Sequence, residues 1–425
     1  MRSLLRIFRP DKAAPPAPPV QPTVPGAHLA VASAAETVPS TGLIVIEASV
    51  RADAPGEAVL RVFAPEATRP AIEKPVTLTT EHQPLWVALH GHLLPNGVAS
   101  VRVDLADAAG AVLAERDLTL RIRNEGPLAE ITRESLQRAG TPLVVGETDS
   151  TLYDYADESL AAWHDRSPEA VEAHLASLAA SGAASHDEIA ALRHFASEGY
   201  LVLPGLIGAE QLAALNADMD DAVEQKVEGY EWGASQRLHN LHLTYPAIRD
   251  LWQDPRILRI LGLIFGAPAR PYQSLTYVFG SEQLYHQDTI VLTPFPAGRM
   301  CGVWTALEDI QPESGELMIY PKSHKLPRTY MKDLPGVPKV EGDWTRFGDA
   351  VAPLWGEFLK DRFATEIYQP KAGTVLIWHE NLMHAGRVRR DKSRSRRSIV
   401  GHYFADGCVA YHDANGMPAA LDKVV

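Results

Sequence analysis

A histidine and an aspartate separated by one residue, His286 and Asp288, are the first residues in this sequence whose spacing suggests chemistry. The apolar and β-branched residues at positions 290–292 predict a strand, on which residues i and i+2 project from one face about 6–7 Å apart. Both side chains are therefore candidate ligands of one metal ion. Alone, the tripeptide is weak evidence, since most such histidines are satisfied surface or core residues.

A third candidate ligand, His384, follows a short apolar strand predicted over residues 373–378. Two histidines and one carboxylate form the facial ligand set of non-haem Fe(II) oxygenases, which leaves positions open for a bidentate cosubstrate and for O₂. One carboxylate against Fe²⁺ leaves a net positive site, which favours the 2-oxo acid end of a dianion such as 2-oxoglutarate. His379 is the rival third ligand.

Arg396 is the candidate for holding the far carboxylate of that dianion, because the planar guanidinium group binds a carboxylate bidentately. It opens a predicted strand in which Arg396 and Ser398 share one face and Arg397 has the other. Arg397 remains the alternative. We interpret the other arginines between positions 387 and 397 as a solvated basic face.

The composition is typical of a globular protein: 425 residues with 46% hydrophobic content are enough for two or three domains. A net charge of −13 predicts no nucleic-acid partner, because a phosphate backbone would be repelled. No apolar run predicts a transmembrane segment, and the arginine-interrupted N-terminus is a poor secretory signal. The two cysteines, Cys301 and Cys408, are typical of a reduced, cytoplasmic protein, although one disulfide stays open.

The chain divides into four predicted segments. Residues 1–41, rich in proline and alanine, predict a disordered N-terminal segment. Residues 42–125 alternate apolar and polar residues in short runs and predict a small β-sandwich accessory domain, with a protein or a glycan as its candidate partner. Residues 126–184 are interpreted as a connector with short helices, and residues 185–425 as the catalytic domain.

The start of the catalytic domain has clear local signals. Ser185 and Glu188 form a capping-box pattern that opens a helix, and Gly199 ends that helix. Residues 200–203 predict a strand, and from Pro271 onward strands dominate. The sequence therefore predicts helices packed around an antiparallel β core, a mainly β fold of the α+β class.

Several motifs stand in a fixed order along the second half of the chain. They are His286, Gln287 and Asp288; residues 303–309; residues 313–317 and 321–324; His384, Ala385 and Gly386; and Arg396. Together they make residues 186–410 resemble the phytanoyl-CoA dioxygenase family of 2-oxoglutarate oxygenases. The resemblance implies a double-stranded β-helix, the jelly-roll fold of cupins, with iron inside its open end.

The resemblance also implies Fe(II), 2-oxoglutarate and O₂ as cofactors and hydroxylation of a small-molecule, acyl or saccharide substrate. By family position Trp304 would flank the cosubstrate, Gln287 would lie beside it and Leu275 would line the pocket. Core packing is the alternative role for Trp304.

The chain departs from the family pattern at two positions, and two other functions stay open. Gly386 stands where the family commonly has a hydroxyl residue, so that one hydrogen bond to the cosubstrate is missing or is supplied by Ser398. Arg396 follows His384 by one position more than expected. The alternatives are a non-catalytic dioxygenase-like binding or adaptor protein and a cupin-like metal hydrolase or isomerase, which has no need for Arg396.

Overall fold

The computed structural model describes residues 26–421, which divide into two compact units. The first unit contains the described residues up to Asp154 together with those from Gly407 onward, and the second is Tyr155–Asp406. The C-terminal segment thus belongs to the unit that begins the chain. The predicted domain boundaries at residues 125 and 184 stay predictions.

The first unit is built mainly from strands. Its described elements are β1 (Ala27–Ala32), β2 (Leu43–Ala52), β3 (Gly56–Phe63), β4 (Ile72–Leu78), β5 (Gln83–His90), β6 (Gly97–Ala106), β7 (Val112–Ile122), α1 (Pro127–Ala139), β8 (Val144–Val145), and 3₁₀ turns at Ala34–Glu36, Gly91–Leu93 and Ser150–Leu152. Two antiparallel sheets, β1-β2-β5-β8 and β4-β3-β6-β7, share one hydrophobic cluster. Alternation places every second residue of these strands in that core.

Part of the segment predicted to be disordered is a strand. Ala27, Leu29 and Val31 of β1 are buried in the hydrophobic cluster of the first unit, and β1 pairs with β2 along its whole length. The prediction through residue 41 is therefore wrong from Ala27 onward, because the proline-rich composition on which it rested stops at Pro25. Residues 1–25 lie outside the described residues.

The second unit combines helices with two sheets. Its described elements are 3₁₀ turns at Glu158–Leu160, Trp163–Asp165, Val227–Gly229, Leu241–Leu243, Ser323–Lys325 and Met331–Asp333; α2 (Pro168–Ala180), α3 (His186–Glu198), β9 (Tyr200–Leu203), α4 (Ala209–Glu224), β10 (Arg237–His239), α5 (Pro246–Trp252), α6 (Pro255–Phe265), β11 (Ala269–Tyr277), β12 (Thr293–Phe295), β13 (Met300–Ala306), β14 (Leu317–Ile319), α7 (Thr345–Leu359), β15 (Glu366–Tyr368), β16 (Val375–His379), β17 (His384–Gly386) and β18 (Ser398–Ala405). The first unit ends with β19 (Val409–His412) and β20 (Met417–Pro418), which pair with each other.

Two antiparallel sheets carry the core of the second unit. The larger has the order β10-β11-β18-β13-β16-β9 and the smaller has the order β15-β14-β17. Leu275, Trp304 and Val400 from the larger sheet pack in one hydrophobic cluster with Leu317 and Ile319 from the smaller. This is the mixed α/β arrangement predicted for the catalytic domain, with helices around a β core.

The register of the larger sheet decides which side chains share its inner face. Leu275 lies opposite Val400, and Val400 lies opposite Trp304. Directly opposite residues in antiparallel strands project to the same side of the sheet. Residues two positions further along each strand face that side as well. The row of Gln273 and His402 is therefore also inward.

The local signals at the start of α3 are present in the structure. Ser185 and Glu188 form the predicted capping box, and Gly199 ends the helix with φ of 85°. A Cβ atom at Gly199 would lie 2.4 Å from Nδ1 of His324, so glycine is needed here for space as well as for its backbone angle. The strand predicted over residues 200–203 is β9.

The described residues contain no helix that is long and apolar enough to cross a membrane. Both cysteines, Cys301 and Cys408, are buried and are not joined in a disulfide. The expected cytoplasmic location and the expected partner of the first unit stay predictions.

Two buried histidines make the first unit sensitive to acid. Burial lowers the pKa of His90 and of His92 to about 4, whereas the unfolded chain takes up these protons near pH 6.5. The unfolded state therefore binds more protons in this window, and stability falls as the pH falls through it. We expect the free energy of unfolding to drop by roughly 2–3 kcal/mol per histidine between pH 6.5 and 4. Urea titrations of the wild type and of His92→Asn check this, and an equal pH dependence in both would contradict it.

Candidate active site

Three side chains converge at one end of the core of the second unit. Oδ1 of Asp288 lies 3.5 Å from Nε2 of His286 and 3.7 Å from Nε2 of His384. The ligand atoms of the three residues all lie within 4.8 Å of one another, and the side chains of all three are at least 86% buried. The structure thus brings together the three residues that the sequence analysis selected as metal ligands.

The local structure around the first two ligands differs from the predicted strand. His286 forms only an isolated bridge with His384, in which each backbone N–H donates to the other's carbonyl at 3.0 and 3.2 Å. The chain then turns, because Val291 and Leu292 donate to the carbonyl of Asp288. The strand prediction over these residues is wrong, although the two ligands still face one point.

The histidine rings are held in the tautomer that a metal requires. Nδ1 of His286 lies 2.8 Å from the carbonyl oxygen of Leu284, and Nδ1 of His384 lies 3.0 Å from that of Leu382. A carbonyl only accepts, so each Nδ1 carries the proton and each Nε2 presents a lone pair. Burial also lowers the pKa of His286 to about 3, which keeps its ring neutral.

The second carboxylate oxygen of Asp288 is held from behind. Its Oδ2 accepts a hydrogen bond of 2.8 Å from the indole N–H of Trp378, and Nε2 of His402 lies 3.7 Å away. Burial acts to raise the pKa of Asp288, but His384 and His402 outweigh it and hold the pKa well below its usual value. Asp288 is therefore a carboxylate with Oδ1 free for a metal. Two neutral imidazoles and one carboxylate fit Fe(II).

A glycine makes room for the tryptophan that orients Asp288. Gly302 lies opposite Trp378 in the sheet, and a Cβ atom there would lie 2.2 Å from the ring of Trp378. No side chain fits at this distance without moving the ring. Gly302 thus positions Asp288 through Trp378.

A cavity of about 110 Å³ contains all three candidate ligands and Arg396. Its wall comes mainly from the inner face of the larger sheet. The other lining residues include Leu275, Trp304, Tyr277, Gln273, Ser281, Gln283, Arg237, Gly386, Trp378 and His402.

Arg396 is a buried cation without a carboxylate partner among residues 26–421. It is 3% exposed, its Nη1 donates to the hydroxyl of Ser398 at 2.9 Å, and its Nε has no hydrogen-bond partner. The rings of Tyr277 and Trp304 lie 5.3 and 5.8 Å from its guanidinium carbon. Burial lowers its pKa to about 10, so it stays charged at neutral pH. A buried, unpaired guanidinium is unfavourable until an anion reaches it.

The neighbouring Arg397 points away from this cavity. Its Nη2 lies 2.6 Å from Asp220, and its Nη1 donates to Asn216 at 3.1 Å. The parity of the predicted strand is the reason, since consecutive residues project to opposite sides.

The other predicted cosubstrate residues are divided between the cavity and its surroundings. Leu275 and Trp304 line it. Ser398 does not line it but bonds Arg396. Gln287 does not belong to it: its amide donates to the carbonyl of Pro327 and accepts from Thr329. The prediction that Gln287 lies beside the cosubstrate is therefore corrected. Its side chain points away from the side on which the side chains of His286 and Asp288 meet.

Sequence reasoning missed several lining residues. Trp378 and His402 stood in predicted strands but received no role, and Arg237 received none either. The available signal was alternation, because Leu275 on the inner face implies that Gln273 and Tyr277 are there too. No described residue in 325–369 lines the cavity.

A second cluster, His164, Asp165 and His379, has ligand atoms close enough together to hold a metal. The ring of His379, however, has the opposite tautomer to that of His286 and His384. The backbone N–H of Asn381 donates to Nδ1 of His379 at 3.0 Å, so a neutral ring carries its proton on Nε2. That nitrogen lies 3.3 Å from Asp165, whose other oxygen pairs with Arg328 at 2.7 Å. The arrangement is a buried charge network, and the rival ligand His379 belongs to it.

Comparisons with known proteins show similarity to one family over the second half of the chain. A family model described as phytanoyl-CoA dioxygenase matches residues 195–398. Phytanoyl-CoA dioxygenase domain-containing protein 1 from mouse (Mus musculus) is 29% identical over 169 residues, covering 38% of this chain and 54% of the relative. The protein of that name from Danio rerio is 28% identical over 187 residues, covering 31% and 64%. The chain thus spans less than two thirds of these relatives.

Two solved structures have partial likeness to this chain. The non-haem α-ketoglutarate-dependent carbocyclase SnoK from nogalamycin biosynthesis is 22% identical, with 52% of this chain and 84% of that chain covered and a TM-score of 0.42. HygX from Streptomyces hygroscopicus, with nickel and 2-oxoglutarate bound, is 18% identical, with 52% and 87% covered and a TM-score of 0.39.

Removing the indole N–H behind Asp288 should weaken metal binding. We expect Trp378→Phe to lower Fe(II) affinity roughly 10–100-fold, because the unsupported carboxylate loses its orientation. Trp163→Phe is the control, since its indole donates to the carbonyl of Ile264, outside the cavity. Anaerobic competition with a chelator measures the affinities. Equal affinities in both variants would rule out this role for Trp378.

The two histidine clusters should differ in iron content. We expect one Fe(II) per chain in the wild type and in His379→Gln, and almost none in His384→Gln. The reason is that His384 presents a lone pair from Nε2, whereas His379 does not. Metal analysis after anaerobic dialysis measures this, with circular dichroism to verify folding. Loss of iron from a folded His379→Gln protein would show that the tautomer assignment is wrong.

Proposed function

We propose that this chain is an Fe(II)- and 2-oxoglutarate-dependent dioxygenase of the phytanoyl-CoA dioxygenase family that hydroxylates a small-molecule substrate, which the family-model match over residues 195–398 supports. The observation that carries the proposal is the pairing of two features in one cavity. One is a His-Asp-His set whose candidate ligand atoms lie within 4.8 Å of one another, and the other is Arg396, a buried cation without a carboxylate partner among the described residues.

Iron in this site would activate O₂ at the expense of 2-oxoglutarate, which is oxidised to succinate and CO₂ while the substrate gains a hydroxyl group. His286, Asp288 and His384 would hold the metal on one face. The remaining face opens into the cavity that Leu275 and Trp304 line. Their side chains give the cavity apolar wall beside the polar groups of the metal ligands and Arg396.

Arg396 would bind the carboxylate that does not reach the metal. Its Nη1 donates to Ser398 and its Nε has no hydrogen-bond partner, so the guanidinium group has donors left for a carboxylate. The anion compensates a charge that is otherwise buried without a partner, and this favours a dicarboxylate over a monocarboxylate.

Neither competing function uses this charge. A metal hydrolase or isomerase needs the three ligands but has no use for a buried guanidinium beside them. A non-catalytic adaptor needs neither a correct histidine tautomer nor an oriented carboxylate. We assign the first unit a structural or docking role, because both clusters of candidate metal ligands among the described residues lie in the second unit.

Arg396 and Arg397 form a matched pair for testing cosubstrate binding. We expect Arg396→Met to weaken 2-oxoglutarate binding by roughly two to three orders of magnitude, because it removes one partner of a buried charge pair. Arg397→Met removes a salt bridge to Asp220 outside the cavity and should leave affinity within about two-fold. The measurement is an anaerobic titration of 2-oxoglutarate into the Fe(II) protein, followed by the metal-to-ligand charge-transfer band.

The absence of such a band in the wild type would contradict the proposed function. An equal loss of 2-oxoglutarate affinity in both arginine variants would contradict only the role of Arg396 and would leave the proposed function standing. Decarboxylation of 2-oxoglutarate that persists unchanged in His286→Ala would show that the metal ligands are wrongly assigned.

A further inference from the structure

Gly386 leaves a space that another residue fills. It lies two positions after His384 and has no side chain, and a Cβ atom built on it would stand 2.5 Å from Oγ of Ser281. The amide nitrogen of Glu282 would be 2.9 Å away. The hydroxyl of Ser281 therefore occupies the position that a side chain at residue 386 would take.

The loop that carries Ser281 is fixed at both ends to parts of the candidate site. At one end the backbone N–H of Arg396 donates to the carbonyl of Val278 at 2.9 Å. At the other end the N–H of Gly386 donates to the carbonyl of Gln283, also at 2.9 Å. Ser281 lies between these two anchors and lines the same cavity as Arg396 and His384. Ser281 is thus part of the wall of the cavity that holds the metal ligands and the buried guanidinium.

The hydroxyl of Ser281 has unused hydrogen-bonding capacity. It accepts one long bond of 3.4 Å from the N–H of Gln283, and within residues 26–421 no acceptor is bonded to its hydrogen. A hydroxyl in a cavity wall beside a buried cation is a suitable second donor to an anion there, because a carboxylate accepts several hydrogen bonds at once.

The other serine near Arg396 has a different role. Ser398 accepts from Nη1 of Arg396 and does not line the cavity, so it orients the guanidinium rather than meeting a ligand. The hydrogen bond that Gly386 cannot make is therefore not supplied by Ser398.

We propose that Ser281 donates a hydrogen bond to the distal carboxylate of 2-oxoglutarate, beside Arg396, in place of a side chain at residue 386. This assignment rests on the proposed function. It makes Ser281 a binding residue, contributed by the loop after β11 rather than by the strand that carries His384.

Two variants and two ligands test the assignment. Ser281→Ala removes the hydroxyl, and we expect it to weaken 2-oxoglutarate binding by about ten-fold, as for loss of a hydrogen bond to a charged group. Ser235→Ala is the control: the Ser235 hydroxyl donates to Glu282, next to Ser281, but Ser235 does not line the cavity. Affinities come from anaerobic titration of the Fe(II) protein by the charge-transfer band, and from calorimetry on the Ni(II) protein. The second ligand is 2-oxovalerate, which lacks the distal carboxylate and should bind equally weakly to the wild type and Ser281→Ala.

Each outcome has one meaning. A selective loss of 2-oxoglutarate affinity in Ser281→Ala supports the assignment. Unchanged affinity overturns it, and so does an equal loss in Ser235→Ala, which would trace the effect to a loosened loop. An equal loss for both ligands overturns the assignment to the distal carboxylate. If the wild type binds no 2-oxoglutarate at all, the proposed function itself fails, which is a distinguishable result.

Discussion

The carboxylate of Asp288 is the charge on which the geometry of the candidate site depends. A buried carboxylate is unfavourable unless its oxygens are satisfied, and here the two oxygens are treated differently. Oδ2 is held by the indole of Trp378, while Oδ1 remains between two imidazoles. Gly302 leaves the space that the indole needs. A metal ion bound at Oδ1 would compensate the remaining oxygen of this carboxylate. Oδ1 is therefore a candidate ligand atom.

The chain between β16 and β17 joins the two halves of the ligand set. The carbonyl of Glu380 accepts from the backbone N–H groups of Asp288 and Thr289, and His384 exchanges backbone hydrogen bonds with His286. The side chain of Glu380 is tied to Arg328 at 2.9 Å. The buried charge network therefore supports the same turn that carries the third ligand. Its histidine, with the opposite tautomer, contributes to structure rather than to metal binding.

Charge is distributed along the cavity so that each end suits one end of a dicarboxylate. The His-Asp-His set carries one negative charge and would be net positive with a divalent metal. Arg396 supplies the second positive charge, and burial makes that charge unfavourable until an anion compensates it. Leu275 and Trp304 add apolar wall to the same cavity. The hydroxyl of Ser281 adds a hydrogen-bond donor beside Gly386, which has no side chain.

The sequence by itself determined the ligand types, their order and the capping box and strand at residues 185–203, because these depend on local spacing and propensity. It also placed Arg396 and Arg397 on opposite faces, since alternation in a strand is local. Only the tertiary structure decided the outward orientation of Gln287 and the tautomers of His379 and His384. The orientation of Gln287 depends on contacts with Pro327 and Thr329, about 40 positions along the chain, which no local spacing encodes. Each tautomer depends on whether the ring turns Nδ1 toward a carbonyl or toward an amide two residues away, and residue spacing is the same in both cases.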